Sequence, residues 1–70
     1  MKKQVIEQII SAYNVNDSVT VEVSEVSIHN DFRVEIRNAV TGQLIWRAWD
    51  FEEGFLFDLK ANLQRFSQIS

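Results

Sequence analysis

The stretch FRVEIRNAVTGQLIWRAWDFEE, from Phe32 to Glu53, decides the fold. Apolar and charged residues alternate over its first six positions, which is the period of a β-strand with one buried face. The segment from Asn38 to Gln43 contains Gly42 and supplies a chain reversal. The residues from Leu44 to Trp49 form a second strand that carries both tryptophans. This stretch therefore predicts a β-hairpin whose apolar face must be covered by the flanking segments.

Two alternating sets compete for the buried face of the second hairpin strand. The first set is Leu44, Trp46 and Ala48, and the second set is Ile45, Arg47 and Trp49. Because a cationic Arg47 is costly to bury without a partner, we expect the first set to face inward, with Trp46 as a central core residue. Trp49 is then expected on the outer face, partly exposed and within cation–π reach of arginines, namely Arg33, Arg37 and Arg47.

The segment from Val19 to Ile28 is a further strand candidate. Val19, Val21 and Val23 alternate with polar residues, and the apolar set then shifts register to Val26 and Ile28. A β-bulge at Ser24 and Glu25 would keep both sets inward, and a break into two shorter strands is the alternative. The following residues, 29–31, are typical of a turn and predict a hairpin into Phe32.

Two amphipathic segments flank the strands. The first runs from Lys2 to Tyr13 and has one apolar stripe, formed by Val5, Ile6, Ile9, Ile10 and Tyr13. The second runs from Phe55 to Phe66, and its expected apolar face is Leu56, Leu59, Leu63 and Phe66. Asp50 is expected to cap the second helix, and at least one of Phe55 and Phe57 is expected to stay exposed.

The element order is therefore α-β-β-β-α in one domain spanning residues 1–70. Two helices on one face of a three-stranded antiparallel sheet form a two-layer α+β sandwich. The chain is 70 residues long and 46% apolar, which fits one small domain without a second core.

Composition excludes several classes of protein. The chain has no cysteine, so neither disulfides nor thiolate metal sites are available, and a cytoplasmic location is expected. No apolar run approaches the roughly 20 residues of a membrane span, so we expect no membrane association. The net charge of −3 opposes nonspecific attraction to nucleic acid.

The central stretch resembles a family of small proteins of unknown activity, the YkfF-like family, found in enterobacterial genomes and on mobile elements. The matching residues are Phe32-Arg33, Gly42 and the run from Ile45 to Glu52, IWRAWDFE. The family pattern is close to FR, G and VWRAWNFE, so Asp50 stands in place of an asparagine. The resemblance covers about a third of the chain and implies a shared fold, with a phage or plasmid origin, but it brings no activity.

The predicted topology also resembles the double-stranded-RNA-binding domain, whose second helix starts with phosphate-gripping lysines. Here the corresponding residues are acidic: Asp50, Glu52, Glu53 and Asp58. These acidic residues would repel phosphates, so RNA binding in that mode is disfavoured. Shared topology alone does not carry function.

The sequence offers little that favours catalysis. His29 is the only histidine and lies in a predicted turn without clustered partners, so we expect no metal site. The serines lack a nucleophile motif, and the two glycines are isolated, so no phosphate-binding loop is present. We therefore predict no catalytic residues, no cofactor and no enzymatic activity.

The face formed by Trp49, Arg47, Arg33 and Arg37 is the main candidate binding surface. Tryptophan and arginine are enriched at binding hot spots, so the first hypothesis is a small non-enzymatic module that binds a protein or a second copy of itself. The alternatives are a weak nucleic-acid binder that stacks bases on Trp49, and an acidic inhibitor that mimics nucleic acid. The acidic patch for the latter is Asp50, Glu52, Glu53 and Asp58. A merely solvated sheet face is the remaining interpretation.

Overall fold

A computed structural model describes residues 3–26 and 31–67 of the chain. Helix α1 (Lys3–Ser11) is followed by strands β1 (Val19–Glu25), β2 (Phe32–Asn38) and β3 (Leu44–Trp49) and by helix α2 (Phe55–Arg65). The strands form one antiparallel sheet in the order β1-β2-β3. The predicted α+β class and element order are confirmed.

The core lies between one face of the sheet and both helices. Helix α1 packs on β1, helix α2 packs on β3, and the two helices touch each other. The buried cluster joins the sheet and the helices through Ile6, Phe32, Val34, Ala48, Phe55, Leu59 and Leu63. Since both helices contribute to the same cluster, the predicted two-layer sandwich is the observed one.

Helix α2 buries most of the face that its sequence suggested, with Phe55 in place of Leu56. Phe55, Leu59 and Leu63 are buried, at the i, i+4 and i+8 spacing of a helical stripe. Leu56, which was predicted to face the core, is exposed. Phe57 is also exposed while Phe55 is buried, so the expectation that one of these two stays exposed is confirmed.

The start of α2 corrects the predicted cap. Gly54 is the N-cap residue, with φ of +78°, and no side chain bonds to the first turn. The predicted Asp50 cap is therefore wrong: the chain makes a tight turn first, with Phe55 N–H donating to the Glu52 carbonyl at 3.1 Å. That turn places Asp50 too early in the chain to serve the helix.

Helix α1 matches its predicted position. Ile6 is fully buried, and three further stripe residues pack partly buried against the core, namely Ile9, Ile10 and Tyr13. Val5 is exposed, contrary to its predicted place in the stripe, because it lies at the margin of a stripe centred on Ile6. The helix ends at Ser11, two residues before the predicted end.

Strand β1 has no bulge at Ser24 and Glu25. Its pairing with β2 is regular from Val19 opposite Asn38 to Glu25 opposite Phe32. Strict alternation therefore places Val26 on the outer side, and it is exposed, so its predicted inward position is wrong. Ile28 and the predicted turn at 29–30 lie outside the described residues.

The register shift lies in β3 instead. Trp46 pairs with Ile36, but Leu44 pairs with Arg37, so one extra residue, Ile45, stands between them. This shift moves Leu44 onto the outer row, and the prediction that it faces the core is wrong. Ala48 is buried as predicted, whereas Trp46 packs against the core while only partly buried.

The loop before β1 contacts the residues that follow α2, which the sequence did not indicate. Val15 and Ser67 form an isolated antiparallel bridge. The main-chain N–H of Asn16 and its side-chain Nδ2 both donate to the Phe66 carbonyl at 2.9 Å. The loop before β1 therefore fastens the C-terminal end of α2.

Candidate functional site

The sheet face that points away from the helices carries the predicted binding residues. Cross-strand pairs place Arg33 opposite Trp49 and Glu35 opposite Arg47. Since directly opposed residues share a face, these four side chains form one continuous outer surface. The predicted orientation of Trp49, opposite to Trp46, is the observed one.

Trp49 lies between two arginines. The guanidinium carbon of Arg47 is 5.0 Å from the centre of the Trp49 ring, within cation–π range. Arg33 is the direct cross-strand neighbour of Trp49. Arg37 lies at the other end of its strand, where its guanidinium donates to the Gly42 carbonyl at 2.9 Å. Trp49 is half-buried, and only two of the three predicted arginines flank it.

Glu35 departs from the expectation that the charges of β2 face solvent. It lies on the outer face, yet its exposed fraction is only 5%. Its carboxylate forms ion pairs with Arg37 at 3.0 Å and with Arg33 at 3.6 Å. A buried carboxylate is tolerated here because two cations compensate it. Arg47 forms no ion pair with any described carboxylate, so it is the uncompensated cation of this face.

Two exposed phenylalanines that follow β3 in the chain were not assigned to any site by the sequence. Phe51 is 67% exposed, and its ring stacks on Trp49 with the centroids 6.5 Å apart and the planes inclined by 29°. Phe57, in the first turn of α2, is 78% exposed. The strand alternation ends before Phe51, so periodicity could not assign this residue to a face. Its closeness in sequence to Trp49 was the one feature that could have placed it beside the predicted binding surface. We call Arg47, Trp49 and Phe51 the contact patch.

The four predicted acidic residues are close in sequence but do different things. Asp50 is half-buried, and its Oδ1 is shielded from solvent with no hydrogen-bond partner among the described residues. Glu53 and Asp58 are exposed. Asp58 lies in the first turn of α2, where the helix dipole favours negative charge. Three of the four carboxylates are therefore exposed, and Asp50 is the partly shielded one.

Glu52 has a structural role. Its carboxylate Oε1 accepts a hydrogen bond from the Trp49 N–H at 2.7 Å. Its own N–H donates to the Trp49 carbonyl at 3.1 Å. Both main-chain groups of Trp49 are thus engaged by one residue, and the turn that carries Phe51 is held against the end of β3.

The described part of the chain contains no group of three or more histidine, cysteine, aspartate or glutamate residues that could hold a metal ion. His29 lies outside the described residues, so its predicted place in a turn stays a prediction. Among residues 3–26 and 31–67, neither helix is long and apolar enough to cross a membrane.

The comparisons with known proteins give one match. No curated protein and no solved structure matches the chain. A family model described as a bacterial protein of unknown function (DUF905) matches residues 6–67. This range includes all three strands, helix α2 and helix α1 from Ile6 onward. Because the match covers most of the chain, the protein belongs to this family of bacterial proteins.

Proposed function

We propose that this chain is a small non-enzymatic module that binds another protein through the contact patch of Arg47, Trp49 and Phe51. The observation that carries the proposal is the stack of Phe51 on Trp49 beneath an uncompensated arginine. Phe51 is 67% exposed in the turn after β3 and stacks on the half-buried Trp49, so this patch presents apolar surface that the described residues do not cover. Aromatic and arginine side chains are the residues most enriched at binding hot spots.

The geometry favours a protein partner over nucleic acid. Arg33 and Arg37 both pair with Glu35, so Arg47 is the one arginine of this face without an ion-pair partner among the described residues. A nucleic-acid groove needs several cations that follow the phosphate backbone, and the net charge of −3 opposes such an approach. The acidic-mimic alternative loses support because Glu52 is engaged with Trp49 and Asp50 is half-buried.

The finer family relationship belongs to the same proposal. The IWRAWDFE run, residues 45–52, resembles the YkfF-like members found on mobile elements and contains the whole contact patch. We therefore extend the proposal to a cytoplasmic protein of phage or plasmid type, whose partner is a host or element-encoded protein or a second copy of itself.

Affinity capture from the native bacterial host, read by quantitative mass spectrometry, tests the proposal. Trp49→Ala and Phe51→Ala are expected to lower the recovery of a specific partner by about thirtyfold, as loss of a hot spot does. Phe57→Ala is the matched control, since it removes an even more exposed phenylalanine outside the patch. The proposal is contradicted if both patch variants recover every partner as well as Phe57→Ala does. It is also contradicted if no specific partner is recovered by the unchanged protein.

Salt and nuclease treatment separate the alternatives in the same experiment. Binding through apolar surface is expected to survive an increase in salt, whereas binding to nucleic acid weakens steeply with it. Sedimentation of the purified protein over a range of concentrations detects self-association. A dimer that Phe51→Ala dissociates identifies the second copy as the partner.

A further inference from the structure

Strand β1 forms the sheet edge opposite β3, and the hydrogen bonds around it show which of its residues face outward. The Ala39 N–H donates to the Ser18 carbonyl at 2.9 Å, and the Val26 N–H donates to the Asp31 carbonyl at 3.0 Å. Bonded residues alternate along an antiparallel strand, so the even-numbered residues of β1 turn their main-chain groups toward β2. The residues that turn theirs toward the open edge are Val19, Val21, Val23 and Glu25.

This edge is a regular template for another strand. Its seven residues pair with β2 without a register shift, and it contains no proline and no bulge. Among the described residues, none donates a main-chain hydrogen bond to the outward groups or accepts one from them. Regular edges without a proline or a bulge can accept an added strand.

A cleft runs beside the edge, between β1 and α1. It is lined by Glu7, Ile10, Ser11, Val21 and Val23. Side chains of an added strand alternate between the two faces of the sheet. Those directly opposite Val21 and Val23 share the inner face with them and enter the cleft, while the residue between them lies on the outer face opposite Glu22.

The charged side chains of strand β1 and of the cleft lining are all acidic. Glu7 lines the cleft, and Glu22 and Glu25 are exposed on the strand itself. Strand β1 and the cleft lining contain no lysine and no arginine. Glu22 stands directly opposite Glu35, whose carboxylate already pairs with Arg33 and Arg37, so Glu22 has no ion-pair partner among the described residues. A cationic side chain is the complementary partner for this position.

We infer that the β1 edge binds an extended peptide segment of a partner protein by strand addition, and that this segment reads apolar-basic-apolar. The apolar side chains enter the cleft beside Val21 and Val23, and the lysine or arginine pairs with Glu22. Main-chain hydrogen bonds supply affinity and the alternating side chains supply selectivity, as in other cases of strand addition. A second copy of β1 is a poor occupant, because its glutamates would repel those of the first.

This surface is separate from the contact patch, which lies at the end of β3 on the opposite edge of the sheet. The two surfaces can therefore be tested independently. Loss of peptide binding at β1 leaves the contact patch intact, and Trp49→Ala leaves the β1 edge intact.

A synthetic eight-residue peptide of alternating valine and lysine is the probe. In a titration followed by amide NMR shifts of the full-length protein, saturable changes are expected along Val19–Glu25 and on the cleft side of α1. A peptide of the same length with alternating valine and glutamate is the matched control and is expected to leave these signals unmoved. Shifts confined to the acidic residues 50–58, or no saturable binding, overturn the inference.

Protein variants test the register. Glu22→Lys is expected to weaken binding of the valine–lysine peptide by about fivefold. The same variant is expected to bind the valine–glutamate peptide, which the unchanged protein does not. The variant should fold, since Glu22 is exposed and its side chain makes no contact with the core. Glu53→Lys makes the same charge change at an exposed position far along the chain and is expected to leave binding unchanged.

A second variant removes a main-chain donor. Val21→Pro deletes an N–H that points to the open edge and not toward β2, so a proline there spares the β1–β2 ladder. In a variant shown to be folded by its amide spectrum, loss of peptide binding supports strand addition, and unchanged binding overturns it. A concentration-dependent dimer joined through β1 in the absence of peptide also overturns it, in favour of a second copy.

Discussion

The two tryptophans, three positions apart in β3, differ in what surrounds them. Trp46 packs against the core, whereas Trp49 lies on the outer face under Arg47. Trp46→Ala is expected to lower the free energy of unfolding by about 3 kcal/mol, because it removes a large side chain that packs against the core. Trp49→Ala is expected to cost less than about 1.5 kcal/mol, since it removes one cation–π contact and partly exposed area.

Urea unfolding of the two variants, followed by far-ultraviolet circular dichroism, checks this contrast. The two substitutions delete the same side chain from the same strand, so each serves as the control for the other. Equal losses of stability would mean that the outer face is as well packed as the core, and the assignment of Trp49 to a surface role would fail.

The buried carboxylate of Glu35 is expected to contribute to stability. It is buried between two arginines, so Glu35→Ala leaves two guanidinium groups without their carboxylate. The expected loss is about 2 kcal/mol, the typical cost of removing a charged hydrogen-bond partner. Glu22→Ala removes the exposed glutamate directly across the ladder and is expected to change stability by less than about 0.5 kcal/mol.

Thermal and chemical denaturation of both glutamate variants measure the difference. A Glu35→Ala protein as stable as Glu22→Ala would show that the ion pairs contribute nothing beyond ordinary surface pairs. The burial of Glu35 could not be read from the sequence, because alternation correctly placed it on the outer face. Its shielding depends on the two arginine side chains that meet its carboxylate.

Secondary-structure elements were predictable where one periodicity dominated. The alternation in β2 and the hairpin loop from Asn38 to Gln43 agree with the structure, and β3 has the predicted bounds. In the loop, the Asn38 side chain accepts hydrogen bonds from the N–H groups of Val40 and Thr41. These features are local, so neighbouring residues carry enough information to specify them.

Single-residue registers were less predictable. Leu44 and Ile45 are both apolar, so the pattern cannot tell which of them a bulge sets aside. The same ambiguity affects Phe55 and Leu56 at the start of α2, where adjacent apolar residues allow two helical faces. Packing of the whole helix against the sheet selects Phe55, and this tertiary contact is absent from a short sequence window.

The turn before α2 requires a left-handed backbone conformation at Gly54. Gly54 has φ of +78°, and a Cβ there would meet open space, so a substitution costs backbone strain alone. Gly54→Ala is expected to lower stability by about 1 kcal/mol. Gly54→Asn is the matched variant and is expected to cost less, because asparagine tolerates the left-handed region better than alanine does. Thermal denaturation giving equal losses for both would contradict this reason.

The loop before β1 supports α2 from the other side. Asn16→Ala removes the Nδ2 donor to the Phe66 carbonyl and is expected to cost about 1 kcal/mol. The loss should be local, so amide exchange is expected to quicken around Phe66 and Ser67 more than in β2. Asn14→Ala, at an exposed position in the same loop, is the control. Uniform acceleration across the domain would indicate global destabilisation instead.

At the scale of the whole molecule, the two edges of the sheet differ. The Asp50 N–H donates to the Phe32 carbonyl at 2.9 Å, so the alternation along β3 turns the main-chain groups of Arg47 and Trp49 toward the open edge. Glu52 engages both groups of Trp49, and the bulge at Ile45 interrupts the strand further back. Edge β3 is therefore protected at both ends, whereas edge β1 is regular along its length.

Glu52→Ala is expected to open the β3 edge. The change removes the carboxylate that accepts the Trp49 N–H, so an unpaired donor is left beside two exposed aromatic rings. Two consequences are expected: a loss of about 1 kcal/mol in stability and concentration-dependent association of the protein through β3. Sedimentation velocity across a hundredfold range of about 1 to 100 μM protein measures the association.

Glu53→Ala separates the effect of this cap from that of charge. It removes the same charge from the adjacent residue, which is exposed and makes no hydrogen bond or ion pair with the described residues. Both variants have a net charge of −2, so any general loss of electrostatic repulsion is common to them. If Glu52→Ala associates and Glu53→Ala stays monomeric, the carboxylate of Glu52 protects the edge; if both associate equally, reduced repulsion suffices and the cap has no such role.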